Sequence, residues 1–123
     1  MLLYTTCMDD PGDLLDYALS LDYEGLVLEG TGAGGLPAWL RTKLMNLNQH
    51  IPCVLASRTG HGDIVFSSYG RGFQQIAYEQ GVCLSNILDS RKSRILLTLL
   101  LSAEFSRVDI WEIFKKFSKF AGQ

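Results

Sequence analysis

Apolar positions along the chain alternate between short continuous runs and stretches of helical spacing. Four continuous runs predict strands, at residues 2–5, 25–28, 51–56 and 82–84. The second run is apolar on both faces, which is typical of a parallel strand covered on both sides. Because strand and helix patterns alternate, the chain predicts an α/β fold. We expect a small three-layer parallel sheet of about four strands with flanking helices, right-handed crossovers and two C-terminal helices.

Helix start and stop signals fit this plan. The stretch DPGD at residues 10–13 predicts an N-cap at its first aspartate, with proline at the first helical position. Pro37 predicts the start of a second helix, and residues 71–80 predict a third, which Gly81 ends. A Gly-, Ser- and Thr-rich stretch at residues 57–68 predicts a long loop around an extended piece at 64–66.

Two helices are predicted near the end of the chain. Residues 91–101 are apolar nearly all round beyond the first turn, so we expect this helix to be deeply buried. Ser106 begins the second helix with a motif close to a capping box, in which Asp109 stands where Glu or Gln is usual.

Composition restricts the classes of protein that fit. With 123 residues, 47% of them hydrophobic, the chain has the size of one domain spanning residues 1–123. A net charge of −2 argues against a dedicated nucleic-acid binder, and the basic group Arg91, Lys92 and Arg94 favours a solvated helical turn over an anion site. The longest apolar run is too short to cross a membrane, and no signal peptide is evident. The abrupt start at Met1 suggests a chain cut from a longer one, although a natural short gene would look the same.

Three cysteines, Cys7, Cys53 and Cys83, lie in or beside apolar runs. An odd number without CxxC spacing suits reduced, buried thiols in a cytoplasmic protein better than disulfides. His50 and His61 have no HxxxH partner, so we expect neither a zinc site nor another metal, and we expect no cofactor.

The stretch GLVLEGTGAGGLPAWL, residues 25–40, contains a glycine-rich turn between a strand and a helix. Gly30, Gly32 and Gly35 fit the dinucleotide pattern G-x-G-x-x-G, which leaves an NADP-type site as a weak alternative. The acidic residue expected about 20 positions further on is missing, and Pro37 lacks one amide donor that a phosphate would use. A purely structural left-handed turn is a second alternative.

The same stretch resembles the start of the C-terminal domain of bacterial-type L-asparaginases and of the asparaginase-like subunit of archaeal glutamyl-tRNA amidotransferase. Further segments resemble that family in the same order: IPCVLASR at 51–58, GDIV at 62–65, SYGRG at 68–72, and GVCLSN at 81–86 followed by KSRILL at 92–97. Together they cover nearly the whole chain.

The resemblance implies an amidohydrolase that cleaves asparagine or glutamine side-chain amides, with the catalytic threonine machinery in a preceding domain. Its TGGTI-like and HGTDT-like segments are absent here, so we expect no catalytic residue in this chain. The C-terminal domain of the family mediates assembly and contributes side chains to a neighbouring site. We therefore expect a homo-oligomer or docking to an asparaginase N-terminal domain, with no nucleic acid or membrane as partner.

Candidate ligand-binding or site-completing residues follow from the resemblance. An asparagine of the family falls at Gly35, and a glutamate of its secreted members falls near Gln74, so both family side chains are missing. The remaining candidates are the loop residues and two polar side chains: Gly30, Thr31, Gly32, Gly34, Gly35, Arg58 and Tyr69. A different class of function stays open, in which the domain is a non-catalytic assembly module or a sensor of Asn, Asp, Gln or Glu.

Overall fold

A parallel sheet forms the centre of the protein. The computed structural model describes residues 1–32, 34–59 and 72–118. Its four strands are β1 (Leu2–Thr5), β2 (Leu26–Gly30), β3 (Cys53–Ser57) and β4 (Cys83–Leu84). Its five helices are α1 (Asp13–Tyr17), α2 (Ala38–Asn48), α3 (Phe73–Glu79), α4 (Ser90–Ser102) and α5 (Arg107–Lys115). The strands lie in the order β1-β2-β3-β4, and every neighbouring pair is parallel.

Helices cover both faces of the sheet, which confirms the predicted three-layer α/β fold. One apolar cluster joins alternate strand residues such as Leu28 and Leu55 to helices α1, α2 and α3. The second cluster joins Val27 and Val54 to Leu97 of α4 and Phe114 of α5. Alternate strand residues thus pack into two hydrophobic cores, one on each face, as expected for a sheet buried on both sides.

Strand β2 extends two residues beyond its predicted end. Glu29 pairs with Ala56 and Gly30 pairs with Ser57, so the ladder continues into the glycine-rich turn. The predicted extended piece at 64–66 lies outside the described residues.

The predicted start of α1 is wrong. Gly12, in the left-handed conformation (φ 73°), caps this helix, which is only five residues long. Asp10 instead folds back, and its Oδ1 accepts a hydrogen bond from the amide of Gly12 at 2.8 Å. A short aspartate side chain competes in this way with helix formation and favours a turn.

The expected deep burial of α4 is also wrong for one side of the helix. Leu97 and Leu100 pack against the sheet, but Ile95 is 54% exposed and Leu99 is 62% exposed. The sheet covers one side of α4, and no other described element covers these two side chains. Cys7 departs from the expectation for buried thiols, since it is exposed whereas Cys53 and Cys83 are buried.

Candidate functional site

Loops at the carboxyl ends of β1, β2 and β3 surround a cavity of about 320 Å³, which we call the edge cavity. Its lining comes from residues 6–9, Thr31, Pro37, Trp39 and Arg58. Parallel strands bring their carboxyl ends to one edge, which is where α/β proteins place ligands. The cavity thus unites two predicted candidates, Thr31 and Arg58, with residues 6–9 of the loop after β1, none of which was a predicted candidate.

Asp10 anchors the β1 loop beside this cavity. Its buried carboxylate accepts a hydrogen bond from the hydroxyl of Tyr4, at 2.6 Å from both oxygens. The indole Nε1 of Trp39 donates to the backbone oxygen of Asp10 at 2.6 Å, which ties α2 to the same loop. Burial, followed by the hydrogen bond to Asp10, raises the pKa of Tyr4 far above its ordinary value, so this phenol stays neutral.

Arg58 follows β3 at the mouth of the edge cavity. Its amide donates to the backbone oxygen of Gly30 at 2.8 Å, and its guanidinium Nη1 lies 3.4 Å from the backbone oxygen of Thr6. Asp9, which also lines the cavity, is exposed and has positive φ (61°). Two residues of opposite charge, Asp9 and Arg58, therefore line the cavity.

The glycine-rich turn closes on itself. The amides of Gly34 and Gly35 both donate to the backbone oxygen of Thr31, at 2.9 and 2.6 Å, and the amide of Thr31 donates to the oxygen of Gly35 at 2.9 Å. Gly32 and Gly34 have positive φ, as a turn this tight requires. A Cβ at Gly30 would lie 2.7 Å from both Gly34 C and Gly35 O, so only glycine lets the turn fold back over β2.

This geometry disfavours a nucleotide on the turn. Three of its amides already donate within the loop, whereas a pyrophosphate site needs amides that point at the ligand. Among the strands of the described residues, the order β1-β2-β3-β4 also contains no reversal, so this part of the sheet lacks the switch-point crevice in which dinucleotides bind.

Sequence comparison identifies the family. The family model for the glutaminase/asparaginase C-terminal domain matches residues 1–114. The chain belongs to this family. It is 36% identical over 93 residues to a probable L-asparaginase of Deinococcus radiodurans, an alignment that covers 74% of this chain and 28% of that protein. It is 29% identical over 97 residues to an L-asparaginase of Bacillus licheniformis, covering 78% of this chain and 30% of that protein.

A third relative is a glutamyl-tRNA(Gln) amidotransferase subunit of Methanobrevibacter smithii. The identity is 36% over 61 residues, covering 49% of this chain and 14% of that protein. The chain therefore spans less than a third of the length of the asparaginases that it matches. These matches confirm the family resemblance drawn from the sequence.

Glu29 is a polar residue of this asparaginase-family domain that the sequence analysis missed. Its carboxylate accepts hydrogen bonds from Thr5 Oγ1, at 2.9 Å, and from the hydroxyl of Ser90 at the start of α4. It thereby ties the first turn of α4 to the carboxyl ends of β1 and β2. A single charged residue inside the run LVLEG was the signal that could have identified it.

The other predicted residues divide in two groups. Gly30, Gly32, Gly34 and Gly35 shape the turn and do not line the edge cavity, while Tyr69 lies outside the described residues. Among the residues that the structure describes, no group of three or more His, Cys, Asp or Glu side chains could hold a metal ion. Within the same residues, none of the helices combines the length and hydrophobicity needed to cross a bilayer.

Proposed function

We propose that this chain is the oligomerisation and site-completing domain of an L-asparaginase-type amidohydrolase, with residues 1–123 forming one domain. The observation that carries the proposal is the family match over residues 1–114, to a domain that its family places at the carboxyl terminus. The L-asparaginases among the relatives extend well beyond the matched region, which leaves room in them for a separate catalytic part. The free, buried thiols of Cys53 and Cys83 support a location in the reducing cytoplasm.

The hydroxyls around the edge cavity support a non-catalytic role for this chain. Thr6 Oγ1 donates to the backbone oxygen of Glu29 at 2.9 Å, and Thr31 Oγ1 donates to that of Gly35 at 3.3 Å. A nucleophilic hydroxyl needs a base that takes its proton, and a backbone carbonyl is too weak a base for that role. The site would thus be completed by side chains from this domain and a nucleophile from elsewhere.

The isolated chain should release no ammonia from asparagine or glutamine. The assay follows ammonia with the purified 123-residue chain, using the L-asparaginase of Bacillus licheniformis as positive control. Turnover that co-purifies with the chain would contradict the proposal. A Thr5→Val variant would then test whether Thr5 is responsible for the turnover, because the hydroxyl of Thr5 donates a hydrogen bond to the carboxylate of Glu29.

The edge cavity favours a second candidate function, the sensing of a small amino acid. Arg58 and Asp9 both line the cavity and carry the two charges that the α-carboxylate and α-ammonium groups of such a ligand would meet. At about 320 Å³ the cavity lies at the lower limit of small-molecule pockets, which suits a ligand of this size.

Calorimetry with Asp, Asn, Glu and Gln tests this candidate. If the domain is a sensor, one of the four binds, and Arg58→Ala weakens binding about tenfold or more, as expected for a charge-assisted contact. Arg94→Ala, which removes an exposed arginine on α4, serves as the matched control and leaves binding unchanged. If none of the four ligands gives a heat signal, the sensing role is contradicted and the assembly role alone remains.

A further inference from the structure

A further cavity lies between helices α3 and α5, and we call it the α3–α5 pocket. It measures about 390 Å³, and its lining comes from residues 78–81, Arg107, Val108, Trp111 and Glu112. Gly81 comes just before β4, and Arg107 bonds to Asn48, which ends α2 ahead of β3. The pocket therefore lies at the amino ends of β3 and β4, whereas the edge cavity lies at the carboxyl ends of the strands.

Two aromatic rings form one wall of the α3–α5 pocket. The ring centroids of Tyr78 and Trp111 are 4.8 Å apart, and the ring planes are tilted by 33°. From outside the pocket lining, the ammonium Nζ of Lys115 lies 5.2 Å from the centroid of the Trp111 ring. The faces of aromatic rings attract cations, so Trp111 already contacts one cation of this chain. The wall is thus suited to a positively charged group.

The charges of the lining favour the same kind of ligand. Glu79 and Glu112 contribute two carboxylates, and Arg107 contributes one guanidinium. The Nη2 of Arg107 already donates to the backbone oxygen and to the Oδ1 of Asn48, at 2.7 and 3.0 Å. Burial, followed by the charge of Glu112, raises the pKa of Tyr78, so the negative charge of Glu112 acts on the aromatic wall. The lining therefore has an excess of negative charge beside two aromatic rings.

We propose that the α3–α5 pocket binds an alkylguanidinium, the cationic group that an arginine side chain carries. A planar guanidinium stacks on aromatic rings and donates paired hydrogen bonds to a carboxylate, and the lining supplies both groups. Val108, which is 70% exposed, offers an apolar contact to the aliphatic stem of such a ligand. The volume is within the range of small-molecule pockets. The proposal does not rest on the proposed asparaginase role.

An NMR titration of the full chain with butylguanidinium tests the proposal, with butylurea as the neutral probe of the same shape. The chain contains two tryptophans, of which Trp111 lines the α3–α5 pocket and Trp39 lines the edge cavity. The indole N–H signal of Trp111, assigned through Trp111→Phe, should shift to saturation with a dissociation constant of about 1 mM or lower. The signal of Trp39 should stay in place, and butylurea should bind at least about tenfold more weakly.

A variant without the carboxylate at the pocket tests the electrostatic part of the proposal. Glu112→Gln should weaken the binding of butylguanidinium at least about threefold, as expected for an ion pair near the surface. Glu112 is exposed, so the fold should tolerate the change. Glu24→Gln is the matched control, because Glu24 is an exposed glutamate outside the pocket lining, and its affinity should equal that of the wild type. Circular dichroism confirms the folding of both variants.

A second pair of probes distinguishes a free guanidinium compound from an arginine side chain of another protein. N-acetyl-arginine methylamide is compared with butylguanidinium, and N-acetyl-citrulline methylamide is its neutral control. Tighter binding of the arginine probe supports a protein side chain as the ligand, and equal or weaker binding supports a free guanidinium compound.

Three results would overturn the proposal. They are a Trp111 signal that no cationic probe shifts, equal binding of butylguanidinium and butylurea, and an affinity that Glu112→Gln leaves unchanged. The ammonia assay on the isolated chain is independent of all three, so this proposal and the proposed function can fail separately.

Discussion

At the residue scale, the glycine-rich turn shows what sequence can and cannot predict. A left-handed turn was one of the alternatives that the pattern left open, and the positive φ values of Gly32 and Gly34 agree with it. The pattern did not reveal that Gly30, at the end of β2, is more crowded than Gly32 or Gly35. That crowding arises because Gly34 and Gly35 fold back over the strand, a contact that local sequence signals do not specify.

Gly30→Ala should therefore lower the free energy of unfolding by about 1–3 kcal/mol, the usual cost of overpacking. The new Cβ would meet backbone atoms at 2.7 Å, and backbone cannot move aside as a flexible side chain can. Urea denaturation monitored by circular dichroism measures the change. Gly35→Ala in the same turn is the control, because its Cβ would meet Thr31 Oγ1 at 3.2 Å and a hydroxyl can rotate. Equal losses for the two variants would contradict this account of the turn.

At the scale of elements, strands were predicted more accurately than helix environments. Each predicted strand exists within two residues of its predicted bounds, because continuous apolar runs between turn signals have few other solutions. The start of α1 was mispredicted because Asp10 bonds to Tyr4 and Gly12, and the first of these contacts is tertiary. The burial of α4 was mispredicted because an apolar pattern states what a helix can bury and does not state what covers it.

The buried thiols of β3 and β4 also predict a pH dependence. Burial raises the pKa of the Cys83 thiol to about 12 and raises the pKa of the Cys53 thiol as well. A raised pKa in the folded state gives stability that is complete below the pKa of the unfolded chain and is lost as the pH rises. Above about pH 8.5 each thiol should therefore lower the free energy of unfolding by about 1.4 kcal/mol per pH unit.

Denaturation curves recorded from pH 7 to about pH 10 measure this slope. In the double variant Cys53→Ala, Cys83→Ala, the free energy of unfolding should fall with pH less steeply than in the wild type, by about 2.7 kcal/mol per pH unit. Val54→Ala, a buried change in β3 without an ionisable group, should lower stability by the same amount at every pH. A double variant with the wild-type slope would show that the two thiols do not cause the alkaline loss.

At the scale of the whole molecule, the sheet was predicted, but only some of the residues that line the edge cavity were. Alternating strand and helix patterns are enough to predict parallel strands with helices on both faces. The cavity combines loops after β1, β2 and β3, and the β1 loop contains no recognisable motif. Of the predicted site residues, Thr31 and Arg58 meet there because both follow neighbouring parallel strands at the same edge.

Domain replacement tests the site-completing role at this scale. The segment of the Deinococcus radiodurans relative that matches this chain is exchanged for residues 1–123, and a version truncated before that segment serves as control. We expect the replacement protein to release ammonia from asparagine. A Gly35→Asn change in that protein, which supplies the asparagine of the family, should raise its activity above that of the unchanged replacement. The Cβ at Gly35 needs only a small shift of Thr31. Gly32→Asn places the same side chain elsewhere in the turn and should bring no gain.

The most direct measurement of the central claim is the rate of ammonia release from asparagine by the domain-replacement protein. If this chain completes an asparaginase site, the replacement protein exceeds the truncated control by at least about tenfold, which corresponds to about 1.4 kcal/mol in the barrier. A folded replacement protein that releases ammonia no faster than the truncated control would contradict the claim.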